Sequence, residues 1–130
     1  MLSRRSIMFA TLIATAAAGT PAIAAETRAY DPASFAAAEK AGKPILVAVH
    51  ASWCSTCKAQ KPILSNLAGK AKFKDVTLFE IDFDTQKDLL RTFRVQRQST
   101  LIAFRGTQEV GRSTGDTNPT SIEALLDKSV

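Results

Sequence analysis

The chain has 130 residues, of which 45% are hydrophobic and 22% charged, and this is the size and composition of one globular domain. Its formal net charge is +5, but Arg4 and Arg5 belong to the first segment, so the rest of the chain keeps 15 of the 17 basic residues against 12 acidic ones. Because those basic residues are scattered, and one Trp and one Tyr offer no run of stacking platforms, we expect no nucleic-acid binding.

The start of the chain has the pattern of an export signal. The paired arginines precede a weakly apolar run over residues 7–18, and a small-x-small cleavage pattern follows at Ala22–Ala24. The apolar run is shorter than the roughly 20 residues that span a bilayer, so we expect no stable membrane insertion once the signal is removed. We predict a cleavable signal peptide over 1–25 and one exported, periplasmic domain over 26–130. Both the secretory and the twin-arginine routes remain open.

The first elements of the domain are a helix and a buried strand. Asp31 and Pro32 predict the start of a helix, because Asp caps free amides and Pro is tolerated at the first helical position. Gly42 stands where that helix is expected to end. The nearly continuous apolar run from Pro44 to His50 is typical of a central strand that is covered on both faces.

The middle of the domain predicts a long helix, a strand and a short helix. The long helix is expected over 54–71, with a kink at Pro62, because proline removes an amide donor from the helix interior. An apolar strand is expected over 76–83. Asp84 or Thr85 is expected to cap the short helix that follows.

The last third of the chain changes to a hairpin pattern. Strands are expected over 100–104 and 108–114, joined by a turn at 105–107. Asn118 and Pro119 then open a final helix. The order of the elements predicts an α/β fold, in which a mixed central β-sheet is flanked by helices on both faces.

The two cysteines of the chain stand where the buried strand passes into the long helix. They form the sequence Trp53-Cys54-Ser55-Thr56-Cys57. A thiol at a helix N-terminus faces unsatisfied amides and the positive end of the helix dipole, which stabilise the thiolate. Thiolate is the attacking species in disulfide exchange. We therefore predict that Cys54 is the exposed nucleophile and Cys57 the buried thiol that resolves the mixed disulfide.

The same pair of cysteines has other possible uses. A purely structural bridge is one, although so short a loop constrains the unfolded chain little. A closed zinc site needs four ligands, and the chain has two cysteines and one histidine. The alternative from another class is a metal-binding or metal-delivery module, in which Cys54, Cys57 and optionally His50 bind copper. His50 is otherwise an ordinary strand-end histidine that packs near Trp53.

Further pieces of sequence accompany the cysteine motif over nearly the whole predicted domain. They are Ile45–Val47, Ala51–Lys58, Pro62, Ile81–Asp82, Ser99–Ile102 and Gly115. Together they resemble the thioredoxin family. The resemblance implies a thioredoxin fold with a C-terminal β-hairpin and helix, and dithiol–disulfide exchange through Cys54 and Cys57. It implies no organic cofactor beyond the redox-active disulfide Cys54–Cys57. The implied partners are cysteine-containing client proteins and a membrane electron donor or acceptor that recycles the enzyme.

The sequence departs from the family at the loop that faces the cysteines. The family has a cis-proline before the threonine of the hairpin strand, and here Ser99 precedes Thr100. A non-proline cis bond costs about 2.5–4 kcal/mol, so we expect the Gln98–Ser99 bond to be trans. Ser99 either hydrogen-bonds to the Cys54 sulfur or is a plain loop serine, and the sequence leaves both open.

The family's buried acid is also missing. Its position falls at Ala48, and the position of its lysine partner falls near Leu78. A lone buried charge would cost several kcal/mol, so the absence of the acid is consistent with the absence of its lysine partner. Proton transfer from Cys57 then needs water or another group. Glu80 is a candidate, although a solvated strand residue is its ordinary interpretation.

The residues next to the cysteines bear on the direction of electron flow. Ser55 and Thr56 match neither the Gly-Pro of reducing members nor the Pro-His of strong oxidants. Without that histidine, one cation that stabilises thiolate is lost, which favours a reductant or an isomerase. The resemblance also implies that Trp53 shields the disulfide. Lys58 either lowers the pKa of the thiol or is an ordinary exposed helix lysine.

Overall fold

The computed structural model describes residues 14, 16–19 and 23–130. Most of the predicted signal peptide, residues 1–25, lies outside the described residues, so the signal and the domain boundary after it stay predictions. Within the described part of the chain, no helix is long and apolar enough to cross a membrane.

The described domain alternates strands and helices. A 3₁₀ turn over Ala71–Phe73 follows the second helix. In chain order the main elements are β1 (Glu26–Ala29), α1 (Pro32–Lys40), β2 (Pro44–His50), α2 (Ser55–Ala68), β3 (Thr77–Asp82), α3 (Lys87–Thr92), β4 (Thr100–Arg105), β5 (Gln108–Thr114) and α4 (Pro119–Asp127).

The strands form one five-stranded sheet in the order β1-β3-β2-β4-β5. Strands β1 and β2 run parallel to β3, whereas β4 runs antiparallel to β2 and to β5. The predicted mixed sheet with its C-terminal hairpin is therefore confirmed. Strand β1 was not predicted, because its four residues are all exposed and carry no alternating apolar pattern.

Strand β2 separates two cores. Ile45, Val47 and Val49 point to one face of the sheet, where they join Phe35 of α1 and Leu90 of α3. The alternate residues of β2 point to the other face, against residues of α2 and α4. This two-sided burial explains the continuous apolar run of β2 and confirms that helices cover both faces.

The helix caps follow the sequence in two of three cases. Asp31 accepts a hydrogen bond from Ser34 N at 3.0 Å, and Asn118 accepts one from Thr120 N at 2.9 Å, so both predicted caps are confirmed. Asp84 and Thr85 do not cap α3. Their amides instead donate to Asp82 Oδ1 at 2.8 and 3.0 Å, which forms a turn, and α3 begins later with Gln86 at its N-cap.

The long helix is shorter than predicted at both ends. Helix α2 runs from Ser55 to Ala68, with Cys54 as its N-cap and Gly69 as its C-cap. Pro62 lies inside it, as expected. The N-cap position matters for function, because it places the Cys54 side chain beside the free amides of the first turn.

Candidate active site

Cys54 ends the loop that connects β2 to α2. Its backbone is extended (φ −85°, ψ 111°), and its amide donates to Ala51 O at 3.2 Å. Its sulfur accepts a hydrogen bond from Cys57 N at 3.1 Å. Cys54 and Cys57 form a disulfide, with their Cα atoms 5.3 Å apart. The sulfur of Cys54 therefore acts as the capping acceptor of the helix that carries Cys57.

The exposure of the two cysteines differs from the prediction. Cys57 is buried, as expected, with 8% of its surface exposed, but Cys54 is only 3% exposed. The prediction of an exposed Cys54 is therefore wrong for this disulfide form. The cause is the N-cap geometry, which turns the side chain inward to an amide of its own helix, and the cover that Ser99 provides.

Ser99 lies against the disulfide in an unusual backbone conformation. Its φ is +57°, in the left-handed region, where residues other than glycine are uncommon. Its amide donates to Val49 O at 2.8 Å, and its hydroxyl lies 3.8 Å from Cys54 Sγ, within hydrogen-bond distance for sulfur. The described residues contain no cis peptide bond, so the Gln98–Ser99 bond is trans. The geometry favours the Cys54 contact over a plain loop serine.

Thr100 supports this loop through its hydroxyl, whose hydrogen bonds go to residues other than the cysteines. Thr100 Oγ1 donates to Arg97 O at 2.7 Å and lies 3.1 Å from Thr114 Oγ1 on β5. The threonine therefore joins the loop before β4 to the partner strand of the hairpin.

Gln60 is a site residue that the sequence reasoning missed. It lies in α2, one turn after Cys57, and only 3% of its surface is exposed. Its Nε2 donates to Ser99 O at 3.2 Å and to Asp116 O at 2.8 Å. The available signal was its spacing from Cys57, which puts both residues on the same face of the helix.

Trp53 lies at the surface beside the site. It is 59% exposed, its Nε1 donates to Asp84 Oδ2 at 2.9 Å, and its ring packs edge-on against Phe83 with 6.4 Å between centroids. Phe83 is the aromatic side chain that packs against the cysteines. The predicted shielding by Trp53 stays a prediction.

The carboxylate at the end of β3 fixes this edge of the site. Backbone N–H groups of Thr85 and then Asp84 donate to Asp82 and hold the pKa of its carboxyl below the ordinary value. His50 adds a smaller attraction to the charged form. The turn that carries Phe83 and Asp84 is therefore tied to an ionised carboxylate, which supports the position of Trp53.

A cavity of about 290 Å³ reaches Cys57. Glu80 is half-buried in its wall and pairs in register with Ala48 across β3 and β2. Glu80 therefore lies beside Ala48, the position at which the family has its buried acid. This placement favours the interpretation of Glu80 as a proton-transfer group over that of an ordinary solvated strand residue. The cavity is lined by Ala48, His50, Ala51, Ser52, Cys57, Lys58, Lys61 and Glu80.

The remaining residues of the motif differ in accessibility. Ser55 and Lys58 are exposed and Thr56 is half-buried. Lys58 lines the cavity with Cys57, so it lies near the pair, whereas its predicted effect on the thiol stays a prediction.

Metal ligation by Cys54, Cys57 and His50 is the alternative that the sequence left open. Among residues 14, 16–19 and 23–130, no group of three or more His, Cys, Asp or Glu side chains is arranged to hold a metal ion. His50 lines the cavity behind Cys57, but both sulfurs are bonded to each other in this form. The metal alternative therefore has no assembled ligand set in the described part of the chain.

A mixed five-stranded sheet, in which the central strand leads into a proline-containing helix that begins with the disulfide, is the arrangement of thioredoxin-fold proteins. The family model Thioredoxin matches residues 26–128. The chain belongs to the thioredoxin family.

Individual relatives agree with this assignment. The crystal structure of Trxlp from Edwardsiella tarda EIB202 has 42% sequence identity and a TM-score of 0.76, covering 78% of this chain and 98% of that one. Thioredoxin Asp f 29 of Aspergillus fumigatus is 31% identical over 83 residues, which are 64% of this chain and 74% of the relative. Thioredoxin H2-1 of Oryza sativa subsp. japonica is 37% identical over 73 residues, which are 56% of this chain and 51% of the relative. The chain thus spans about half of the rice protein.

Proposed function

We propose that this protein is a thiol–disulfide oxidoreductase that reduces or isomerises disulfides of cysteine-containing client proteins. The observation that carries the proposal is the position of Cys54 as N-cap of α2, with its sulfur 3.1 Å from Cys57 N. After reduction, that amide and the helix dipole stabilise negative charge on the sulfur. Membership of the thioredoxin family supports the same chemistry.

The exchange proceeds in two steps that conserve electrons. The Cys54 thiolate attacks one sulfur of the client disulfide, a mixed disulfide forms, and the other client sulfur leaves as a thiolate. The Cys57 thiolate then attacks Cys54 Sγ, which releases the second client sulfur and forms the Cys54–Cys57 disulfide. Two electrons pass from the enzyme to the client. The product is the disulfide form described above.

The second step requires Cys57 to lose its proton inside the protein. Cys57 is 8% exposed and lines the cavity that Glu80 also lines. We assign Glu80 as the group that accepts this proton, through water in the cavity. Its position next to Ala48 in the sheet gives it access to the same space without a fully buried charge.

We propose that the protein works as a reductant or isomerase in the periplasm or an equivalent exported space. The dipeptide Ser55-Thr56 supplies no histidine cation to stabilise the thiolate further, which disfavours a strong oxidant. An oxidising compartment does not return a reductant to its dithiol form, so a membrane electron donor is the implied partner. The pattern of residues 1–25 supports export.

Cysteine variants test the proposal directly. Reduction of insulin disulfides by the reduced protein is expected to be lost in Cys54→Ser, which removes the attacking sulfur. Cys57→Ser is the matched variant: it is expected to accumulate a mixed disulfide through Cys54, because the resolving sulfur is absent. If Cys54→Ser reduced insulin at the wild-type rate, or accumulated a mixed disulfide through Cys57, the assignment of Cys54 as the attacking thiol would be overturned.

A further inference from the structure

Gln60 is a buried amide side chain whose Nε2 makes two hydrogen bonds to main-chain carbonyls of other segments. A polar side chain with 3% of its surface exposed is stable only when its hydrogen bonds are made. Both observed bonds go from Nε2 to main-chain carbonyls, Ser99 O at 3.2 Å and Asp116 O at 2.8 Å. These partners are 39 and 56 positions away in sequence, so the contact joins the redox helix to two separate loops.

The loop that Gln60 binds needs an external restraint. Ser99 has a φ of +57°, which disfavours a residue with a Cβ. Its amide is held by Val49 O at 2.8 Å, and its carbonyl accepts from Gly115 N at 3.0 Å as well as from Gln60. The bond from Gln60 is the one that comes from the helix carrying the cysteines, so it fixes the loop relative to the disulfide.

The loop position determines where the Ser99 hydroxyl lies. That hydroxyl is 3.8 Å from Cys54 Sγ in the disulfide form. After reduction the sulfur becomes an anion, and a hydroxyl donor at this position stabilises it, as hydrogen bonds to a charged form do. Because Gln60 lies in α2 and Cys54 is the N-cap of the same helix, the bond from Gln60 to Ser99 O ties the Ser99 loop to the helix that positions the Cys54 sulfur.

We infer that Gln60 is a positioning residue, which holds the Ser99 loop against α2 so that the Ser99 hydroxyl donates to the Cys54 thiolate. The inference rests on the proposed function only in assigning Cys54 as the attacking thiol. It predicts that Gln60 acts on Cys54 through Ser99 and not directly.

The test is a double-mutant cycle read out on the Cys54 thiol. The rate of iodoacetamide alkylation of Cys54 in the reduced full chain, measured against pH, gives its pKa. Ser99→Ala is expected to raise that pKa by about one, the value of a hydrogen bond to a charged group. Gln60→Met is expected to raise it in the same direction. Gln60→Met in the Ser99→Ala background is expected to add little, because the donor is already gone.

Matched variants separate positioning from stability. Asn66→Met makes the same kind of change on the exposed face of α2 and is expected to leave the pKa of Cys54 unchanged. Gln60→Asn keeps an amide that is too short to reach both carbonyls, and it serves if Gln60→Met does not fold. A lower unfolding temperature with no change in the pKa of Cys54 would show that Gln60 is merely structural. An equal pKa change with and without Ser99 would overturn the route through Ser99.

The cycle is independent of client turnover. Alkylation needs no client protein, so a protein that fails to reduce insulin yet shows the Gln60–Ser99 coupling would refute the proposed function and leave this inference standing. A protein that reduces insulin but shows no coupling between Gln60 and Ser99 would support the proposed function and refute this inference.

Discussion

Glu80 lies directly across from Ala48 in the parallel pairing of β3 with β2, and both residues line the cavity that reaches Cys57. The small side chain of Ala48 thus leaves space beside the central strand, and the carboxylate of Glu80 on the neighbouring strand lines that space. Glu80 is half-buried, so its side chain stays partly in contact with solvent while it lines the same cavity as Cys57.

Glu80→Gln is expected to slow the resolving step while the first attack continues. The amide keeps the size of the side chain but cannot accept the proton of Cys57. Transfer through water is less efficient than direct contact, so we expect a loss on the order of tenfold, below the usual range for a general base. Stopped-flow release of client from the mixed disulfide measures this step. Glu39→Gln on α1, across the sheet, is the control, and equal rates for the two variants would contradict the role of Glu80.

The left-handed backbone of Ser99 gives a separate prediction about stability. Glycine adopts a φ of +57° freely, whereas a β-branched residue is strongly disfavoured there. Ser99→Gly is therefore expected to have about the wild-type free energy of unfolding, and Ser99→Val to be less stable by about 1–3 kcal/mol. Urea denaturation of the oxidised proteins measures both. Equal stability of the two variants would show that the loop relaxes to another conformation.

The sequence was sufficient where the signal is local or continuous. Strand β2 was predicted from an unbroken apolar run, because both of its faces are covered. Asp31 and Asn118 were predicted as caps, because a cap depends on the adjacent turn alone. The cysteine pair at the junction of strand and helix follows from the same local patterns.

The sequence was insufficient where a contact between residues far apart in the chain determines the local structure. Strand β1 consists of four exposed residues and is held by its pairing with β3. The burial of Cys54 depends on Ser99, which is 45 positions away. The bonds of Gln60 cross similar distances along the chain. No periodicity records such contacts.

A charged cluster beside α4 predicts a loss of stability in acid. Glu123 accepts from Lys72 Nζ at 2.7 Å and from Lys70 Nζ at 2.9 Å, and these bonds hold the pKa of Glu123 below its ordinary value. A folded-state pKa below the unfolded one stabilises the protein above the unfolded value, about 4.3, and that stabilisation is lost as the pH falls through the lowered pKa. The unfolding temperature of the wild type is expected to exceed that of Glu123→Gln at pH 7, and this difference is expected to disappear below about pH 4. A gap that is constant with pH would contradict this assignment.

The single tryptophan makes the redox potential measurable, and the site predicts its range. Trp53 is the only tryptophan of the chain and packs edge-on against Phe83, which contacts the cysteines, so its fluorescence should change on reduction of the disulfide. Without a histidine between the cysteines, the reduced form has fewer groups that stabilise its thiolate, and a less stable reduced form is a stronger reductant. Titration against dithiothreitol is therefore expected to give a potential closer to about −270 mV than to about −120 mV. Replacing Ser99 with alanine should move the potential to a more negative value, because the thiolate loses a hydrogen-bond donor. A wild-type value near about −120 mV would make the protein an oxidant and reverse the proposed direction of electron flow.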